Sequence, residues 1–320
     1  MREVSRRGFH AAVATSMLTG CATQKAEAPA RYSGRAAVSV LKASSYDADL
    51  TKLILTGLEQ AGLPNVKGKR VLLKPNLVEF DHASAINTSP RVVVAAFEAF
   101  RSLGAEVTIG EGPGHRRDTF GLTEEAGYWQ QFKALDDHFV DLNRDDVKSI
   151  SSFLGRPEFY FSETLLAADL IVSLPKMKTH HWAGATLSMK NFFGVVPGSI
   201  YGWPKNLLHH YGIANSIVAL NRRFRNTFAI VDGIVGMEGN GPIQGAAKPM
   251  GTMVFGRDLM AVDATCCRLM GIDPAKIEYL QQAADLGAID AGQIDQRGEN
   301  PVALRNNFQL IDQFQYLRLA

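Results

Sequence analysis

Two kinds of apolar pattern alternate along the chain. Short segments that are apolar at nearly every position (37–42, 70–73, 106–110, 168–174, 228–232 and 251–255) suit strands buried on both faces of a sheet. Between them lie stretches with apolar residues three and four apart, the spacing of one helix face. These predict helices over 47–61, opening at Asp47, over 90–103 behind Ser89-Pro90, over 124–135, over 204–223 and over 259–270, with a further helix starting at Asp273-Pro274. Residues 138–142 read as one more strand and 153–161 as a hairpin. Strand–helix–strand alternation implies a parallel sheet with right-handed crossovers. The expected fold is α/β, mostly parallel and flanked by helices. It would form a single domain over 36–320, or two intimately joined lobes.

The first 35 residues do not fit that pattern. Ser5-Arg6-Arg7-Gly8-Phe9 precedes a short, weakly apolar stretch to Gly20, and Leu18-Thr19-Gly20-Cys21 follows. A basic start, a brief apolar run and small residues before a cut site make a signal peptide. The arginine pair resembles a twin-arginine signal and the last four residues a lipobox, so residues 1–21 predict export with Cys21 as the lipidated residue. The expected partners are the twin-arginine translocase and the lipoprotein-processing machinery. Ala22, in place of an aspartate, favours the outer membrane, with the protein facing the periplasm and held to the membrane by its lipid alone. Residues 22–35 read as a flexible tether.

Composition changes meaning once the signal is set aside. The formal charge of +2 loses three arginines and one glutamate with residues 1–20, which leaves 31 basic and 31 acidic side chains. A neutral chain gives no electrostatic ground for nucleic-acid binding. Only Cys266 and Cys267 remain after Cys21. They lie in an apolar helical pattern as buried thiols, and without a Cys-x-x-Cys run no iron–sulfur cluster is expected.

Polar clusters follow four of the strand candidates: Lys74-Pro75-Asn76, 111–117, 175–181 and the pair Asp232-Gly233 with 238–242. Ligands of parallel sheets gather outside the carboxyl ends of strands, so the four clusters predict one cleft. Its cations (Lys74, Lys176, Lys178, Lys190, Arg116 and Arg117) suit a small anionic ligand, a carboxylate or a phosphate, with Asn76 and Asn240 beside them. His115 and His180 are candidates for opposed acid and base, with Glu238 or Asp232 orienting one of them. Lys190 would anchor a cofactor or neutralise an oxyanion, with Asp232 at the cofactor end. A metal could be held by His180, His181 and Glu238, although adjacent histidines diverge and one at most should face the site. His209-His210 reads as surface or core.

Lys74-Pro75-Asn76, 175–180, Met189-Lys190-Asn191 with Gly194, Asp232-Gly233-Ile234 with 237–242, and Asp258 with Asp263 together resemble the domain of unknown function 362 family over about residues 36–275. Many members of that family carry a ferredoxin-like module, which this chain lacks. His180-His181-Trp182-Ala183-Gly184 followed by Lys190, with Gly114-His115-Arg116, is more distantly similar to the lactate racemase family. That resemblance implies acid–base roles for His115 and His180 and a nickel-pincer nucleotide tethered at Lys190. Departures at 186–189 and 73–76 separate this chain from the racemase pattern. The function expected is an enzyme acting on a small carboxylate, racemase-, epimerase- or redox-like; the alternative is a non-catalytic periplasmic anion-binding or redox-accessory protein.

Overall fold

The structure is a computed structural model that describes residues 31–131 and 137–320. The signal, Cys21 and residues 22–30 of the expected tether lie outside the described residues. Within that tether segment, Tyr32 donates its N–H to Ala284 and accepts from Gln293.

The strands are β1 (Ala36–Lys42), β2 (Arg70–Pro75), β3 (Glu106–Glu111), β4 (Phe139–Asp141), β5 (Val147–Phe153), β6 (Arg156–Ser162), β7 (Leu170–Leu174), β8 (Lys176–His180), β9 (Gly184–Thr186), β10 (Thr227–Asn240), β11 (Gln244–Gly256) and β12 (Ile294–Gly298). Among the described residues ten of these form one sheet, ordered β12-β1-β11-β10-β7-β2-β3-β4, with β8 on β10 and β9 on β8. Strands β10, β7, β2, β3 and β4 pair in parallel; β11 runs antiparallel to β10 and β1. β5 and β6 make a separate antiparallel hairpin.

The continuous apolar runs have the expected cause. Leu72, Ile171, Ala229 and Val254 enter one apolar cluster, while their neighbours Val71, Leu73, Val172, Ile230 and Phe255 enter another. Successive side chains of a strand point to opposite faces, so both faces of the sheet are covered. Helices Leu50–Gln60 and Pro90–Ser102 cover one face through Ile54, Leu58, Phe97 and Phe100. Helices Ile213–Arg223 and Leu259–Leu269 cover the other through Ile217, Leu220, Val262 and Leu269. Cys266 and Cys267 are buried in the last of these, and burial pushes both thiols up, away from the reactive thiolate form. No helix of the described residues is long and apolar enough to cross a membrane.

Several elements differ from the sequence expectation. The first helix is capped by Asp49, which accepts from Lys52 N at 3.0 Å, while Asp47 pairs with Arg91. The helix expected over 124–135 is instead Thr119–Glu125, capped by Asp118, and then Tyr128–Gln131; residues 132–136 lie outside the described residues. The helix expected over 204–223 is two, Asn206–His210 and Ile213–Arg223, because Gly212 between them holds φ 96°, where a side chain is strained. The loop expected over 175–181 is mostly strand β8, and Glu238 to Asn240 end β10 rather than form a loop.

Candidate functional site

One cavity of about 390 Å³ opens past the carboxyl ends of β2 and β3 and along β8 and β9. Of the predicted residues, Lys74, Asn76, His115, Lys178, His180, His181 and Lys190 line it. The others do not. Lys176 and Asp232 are buried beside the cavity and bond to each other at 2.6 Å. Asp232 also accepts from Tyr46 Oη at 2.9 Å and Ser89 N at 2.9 Å, so its oxygens are spent on the fold. Arg116 is clamped between Glu79 and Glu125 at 3.0 and 2.7 Å. Glu238 pairs with Lys248 at 3.3 Å and accepts from Gln309 N, and Asn240 donates to Gln244 on the exposed hairpin end. Among the described residues no three His, Cys, Asp or Glu side chains gather as a metal site.

The 111–117 cluster brings Glu111 to the cavity as the buried partner of Lys74, while sequence reasoning missed Asn191, Lys205 and Thr186. It also read His209 and His210 as surface or core and admitted one of His180 and His181; all four line the cavity. Both members of each pair reach it because the cavity wraps around the ends of β8 and of helix Asn206–His210. Lys178 and His180 are two apart on β8, the strand period, and that alternation was the signal available for them.

The lysines are unevenly compensated. Lys74 is fully buried, 2.5 Å from Glu111 and 3.0 Å from Asn191 Oδ1. Burial lowers its pKa, and Glu111 opposes the shift. Glu111 is then spent: its other oxygen accepts from Gly112 N. Gly194 is required here, since a Cβ would overlap the Glu111 carboxylate and the Lys74 ammonium. The remaining lysines have no carboxylate partner. Lys178 donates to the Ile86 and Pro242 carbonyls at 2.8 and 3.4 Å. Lys205, at a left-handed φ of 69°, donates to Asn143 Oδ1 and to the Val196 carbonyl. Lys190 sits half-buried with its Nζ 3.5 Å from the Phe193 ring centre. Burial takes Lys190 down to about 7, helped by Lys74. Burial takes Lys205 to about 7 as well, and Lys178 well below the usual lysine range.

Backbone contacts set the histidine tautomers. His180 Nδ1 accepts from Trp182 N and Ala183 N at 3.0 and 3.2 Å. Its proton in the neutral ring is therefore on Nε2. Burial, then Lys190, holds this ring well below the ordinary histidine pKa, so it stays neutral and offers a donor. His181 and His209 are the reverse. Each Nδ1 meets a carbonyl, Gly241 at 2.8 Å and Lys205 at 3.3 Å, which can only accept. In the neutral tautomer these contacts select, each ring presents an Nε2 lone pair. His115 is lowered by burial, and no hydrogen bond among the described residues fixes its ring. Two buried polar atoms on the wall, Asn76 Oδ1 and Thr186 Oγ1, have no hydrogen-bond partner among the described residues.

Asp263 braces the segment that carries Lys190. It accepts from Ser188 N at 2.8 Å, Ser188 Oγ at 2.5 Å, Met189 N at 3.2 Å and Tyr279 Oη at 3.2 Å. Burial still raises its carboxyl to about 7. The folded state then holds this proton more tightly than the unfolded chain. Stability from Asp263 is complete below about pH 4 and is lost as the pH rises through about 7. Denaturant titrations between pH 5 and 7 should show falling stability in the wild type and a flatter profile in Asp263→Asn; equal slopes would remove Asp263 as the source.

The chain is of the α/β class, a mostly parallel sheet with a lysine- and histidine-lined cavity at its strand ends. Residues 71–268 match the family described as "Domain of unknown function (DUF362)", and the chain belongs to that family. The Thylakoid-associated protein sll1697 of Synechocystis sp. is 31% identical over 261 residues, spanning 78% of this chain and 79% of its own. The lactate racemase apoprotein of Thermoanaerobacterium thermosaccharolyticum is similar in structure at a TM-score of 0.46 and 15% identity; the match covers 75% of this chain and 58% of the racemase chain.

Proposed function

We propose that the chain is an enzyme that binds a small carboxylate in this cavity and moves a proton at the carbon beside it. One observation carries the reading: three lysines, Lys178, Lys190 and Lys205, line a buried cavity whose only lining carboxylate, among the described residues, is already bonded to Lys74. Uncompensated buried ammonium groups are costly, and an anionic ligand relieves that cost. The unpartnered Asn76 Oδ1 and Thr186 Oγ1 add one acceptor and one hydroxyl for polar groups of the same ligand.

The histidines supply the chemistry. His180 Nε2–H is a neutral donor aimed at an oxyanion or enolate oxygen. The Nε2 lone pairs of His181 and His209, or the ring of His115, accept the proton. His180 is thereby a donor rather than a base, because its lone pair is occupied by backbone N–H groups. Replacing it by Asn keeps an acceptor for Trp182 N and Ala183 N but removes the Nε2 donor. His180→Asn should lower hydrogen–deuterium exchange at the carbon beside the carboxylate by roughly 10²–10³-fold with little change in melting temperature. The assay is NMR of a panel of 2-hydroxy and 2-oxo carboxylates in D2O; unchanged exchange in the variant would end the role. A carboxylate-induced melting shift with no exchange, surviving loss of both His115 and His180, would instead favour a binding protein.

A tethered nickel-pincer nucleotide is compatible with Lys190, whose amine has no acceptor among the described residues and is partly neutral near pH 7. His180 does not fit as a metal ligand, since Nδ1 is occupied and Nε2 carries the proton. Such a group, when bound, would accept hydride from the substrate carbon; the chain's own part is to hold the carboxylate and the proton.

Anion binding and these lysines are linked. An anion favours the protonated amines, so binding takes up protons above about pH 7, and affinity falls between pH 7 and 9. Calorimetry in buffers of different ionisation enthalpy measures this uptake. Uptake that is absent at pH 8 would remove Lys190 and Lys205 from the binding site.

The site would face the periplasm. The arginine pair and lipobox motif support export and anchoring at Cys21. Cys21→Ser should move the protein from the membrane to the soluble fraction of fractionated cells; continued membrane association would contradict the anchor.

A further inference from the structure

The cavity treats Lys190 differently from its other lysines. Lys74 faces a carboxylate, and Lys178 and Lys205 donate to backbone carbonyls or to Asn143. Lys190 has no acceptor among the described residues. Its Nζ lies over the face of Phe193, it borders the cavity, and its backbone is held by the Asp263 brace immediately before it. An ammonium meant only for charge would gain from an acceptor. An amine that must lose a proton and approach a carbon is hindered by one.

We propose that Lys190 is a nucleophile that forms an imine with the carbonyl carbon of a small 2-oxo carboxylate. This deepens the carboxylate reading above and rests on it. The ligand carboxylate is held by Lys178 and Lys205, and the carbonyl carbon faces Lys190 Nζ. The neutral amine attacks, a C–N bond forms and the carbonyl oxygen becomes the hydroxyl of a carbinolamine, hydrogen-bonded by His180 Nε2–H. The C–O bond then breaks. The hydroxyl leaves as water with one proton delivered from solvent through the Nε2 of His181 or His209. The nitrogen keeps one proton as the iminium, so one amine, one carbonyl and one proton give one iminium and one water with no redox change. The depressed pKa of Lys190 supplies the neutral amine near pH 7. The iminium then acts as the electron sink for proton removal from the neighbouring carbon.

The test uses the full chain as purified, its intact mass recorded first. It is incubated with pyruvate or with L-lactate, in each case with cyanoborohydride, and adducts are mapped by peptide mass spectrometry. The expected result is one reduced pyruvate per chain, on Lys190, and none from lactate, with both acids raising the melting temperature of the unsubstituted chain and Lys190→Arg losing the adduct. Melting shifts by either acid without a Lys190 adduct, or adducts spread over surface lysines, would overturn the imine and leave the carboxylate site standing. Absence of any melting shift would overturn the carboxylate site and the imine together. A permanent covalent mass already on Lys190 at purification would also overturn the imine, because the amine would then be occupied.

Discussion

Asp232→Ala should destabilise the protein by about 3–5 kcal/mol, enough to leave a marginal domain largely unfolded at 37 °C. Asp232 is fully buried and ties four segments together: Lys176 on β8, Tyr46 after β1, Ser89 at the start of helix Pro90–Ser102, and Ile234 within β10. Removing the carboxylate leaves the Lys176 ammonium buried without a counter-charge. Burial and Asp232 push the Tyr46 hydroxyl far above its ordinary pKa, so that group remains a donor and also loses its acceptor. The cost is that of stranded polar groups, not of one ion pair. The double variant Lys176→Met/Asp232→Leu should recover a large part of it, since an apolar pair of similar volume strands no charge. Urea titrations of the three variants test this. If Asp232→Ala keeps full stability and loses only ligand binding, then Asp232 belongs to the ligand site, as its sequence context had suggested.

Lys178→Met should weaken carboxylate binding by roughly 30-fold or more, which corresponds to about 2 kcal/mol or above for a buried charge facing a charged ligand. Lys178 is completely buried, its acceptors among the described residues are two carbonyls, and it reaches the cavity from the middle of β8. Lys178→Arg should also fail, because a planar fork cannot sit in the space of a compact ammonium. Lys178→Met should melt within a few degrees of wild type, because the lysine is held below its usual pKa by burial and is costly when charged. Lost binding in a stable variant separates this prediction from the Asp232 one; unchanged affinity would place the anion elsewhere.

The central sheet was legible because strands covered on both faces must be apolar throughout, and 70–73, 168–174 and 228–232 are. The helix start at Ser89-Pro90 stands where the structure puts it, whereas Asp47 was read as the opening of a helix that Asp49 caps. β8 was hidden because its lysines and histidine are buried by a cavity and by Asp232, and a polar run reads as a loop unless its period of two is weighed. The long helix over 204–223 was misread because its apolar spacing continues across Gly212, and only the backbone angle there breaks it. Lys74, Lys178 and His180 were legible as neighbours in one cavity because they follow predicted strands, and Lys190 through its spacing from His180. Lys205, Asn191 and His209 were not, since their place in the cavity comes from the path of the 3-10 turn Lys190–Val195 and of the short helix after Pro204. The opposite protonation patterns of His180 and its neighbours depend on which backbone groups meet each ring. No spacing in the sequence encodes that.

One experiment decides whether the cavity is a carboxylate site: calorimetric titration of the purified full chain with pyruvate at pH 6.5 and pH 8.5, beside Lys178→Met. Saturable binding at pH 6.5, weaker binding with proton uptake at pH 8.5, and loss of binding in Lys178→Met are the results expected from three uncompensated lysines. No binding at either pH, or binding indifferent to both pH and Lys178, would contradict the site.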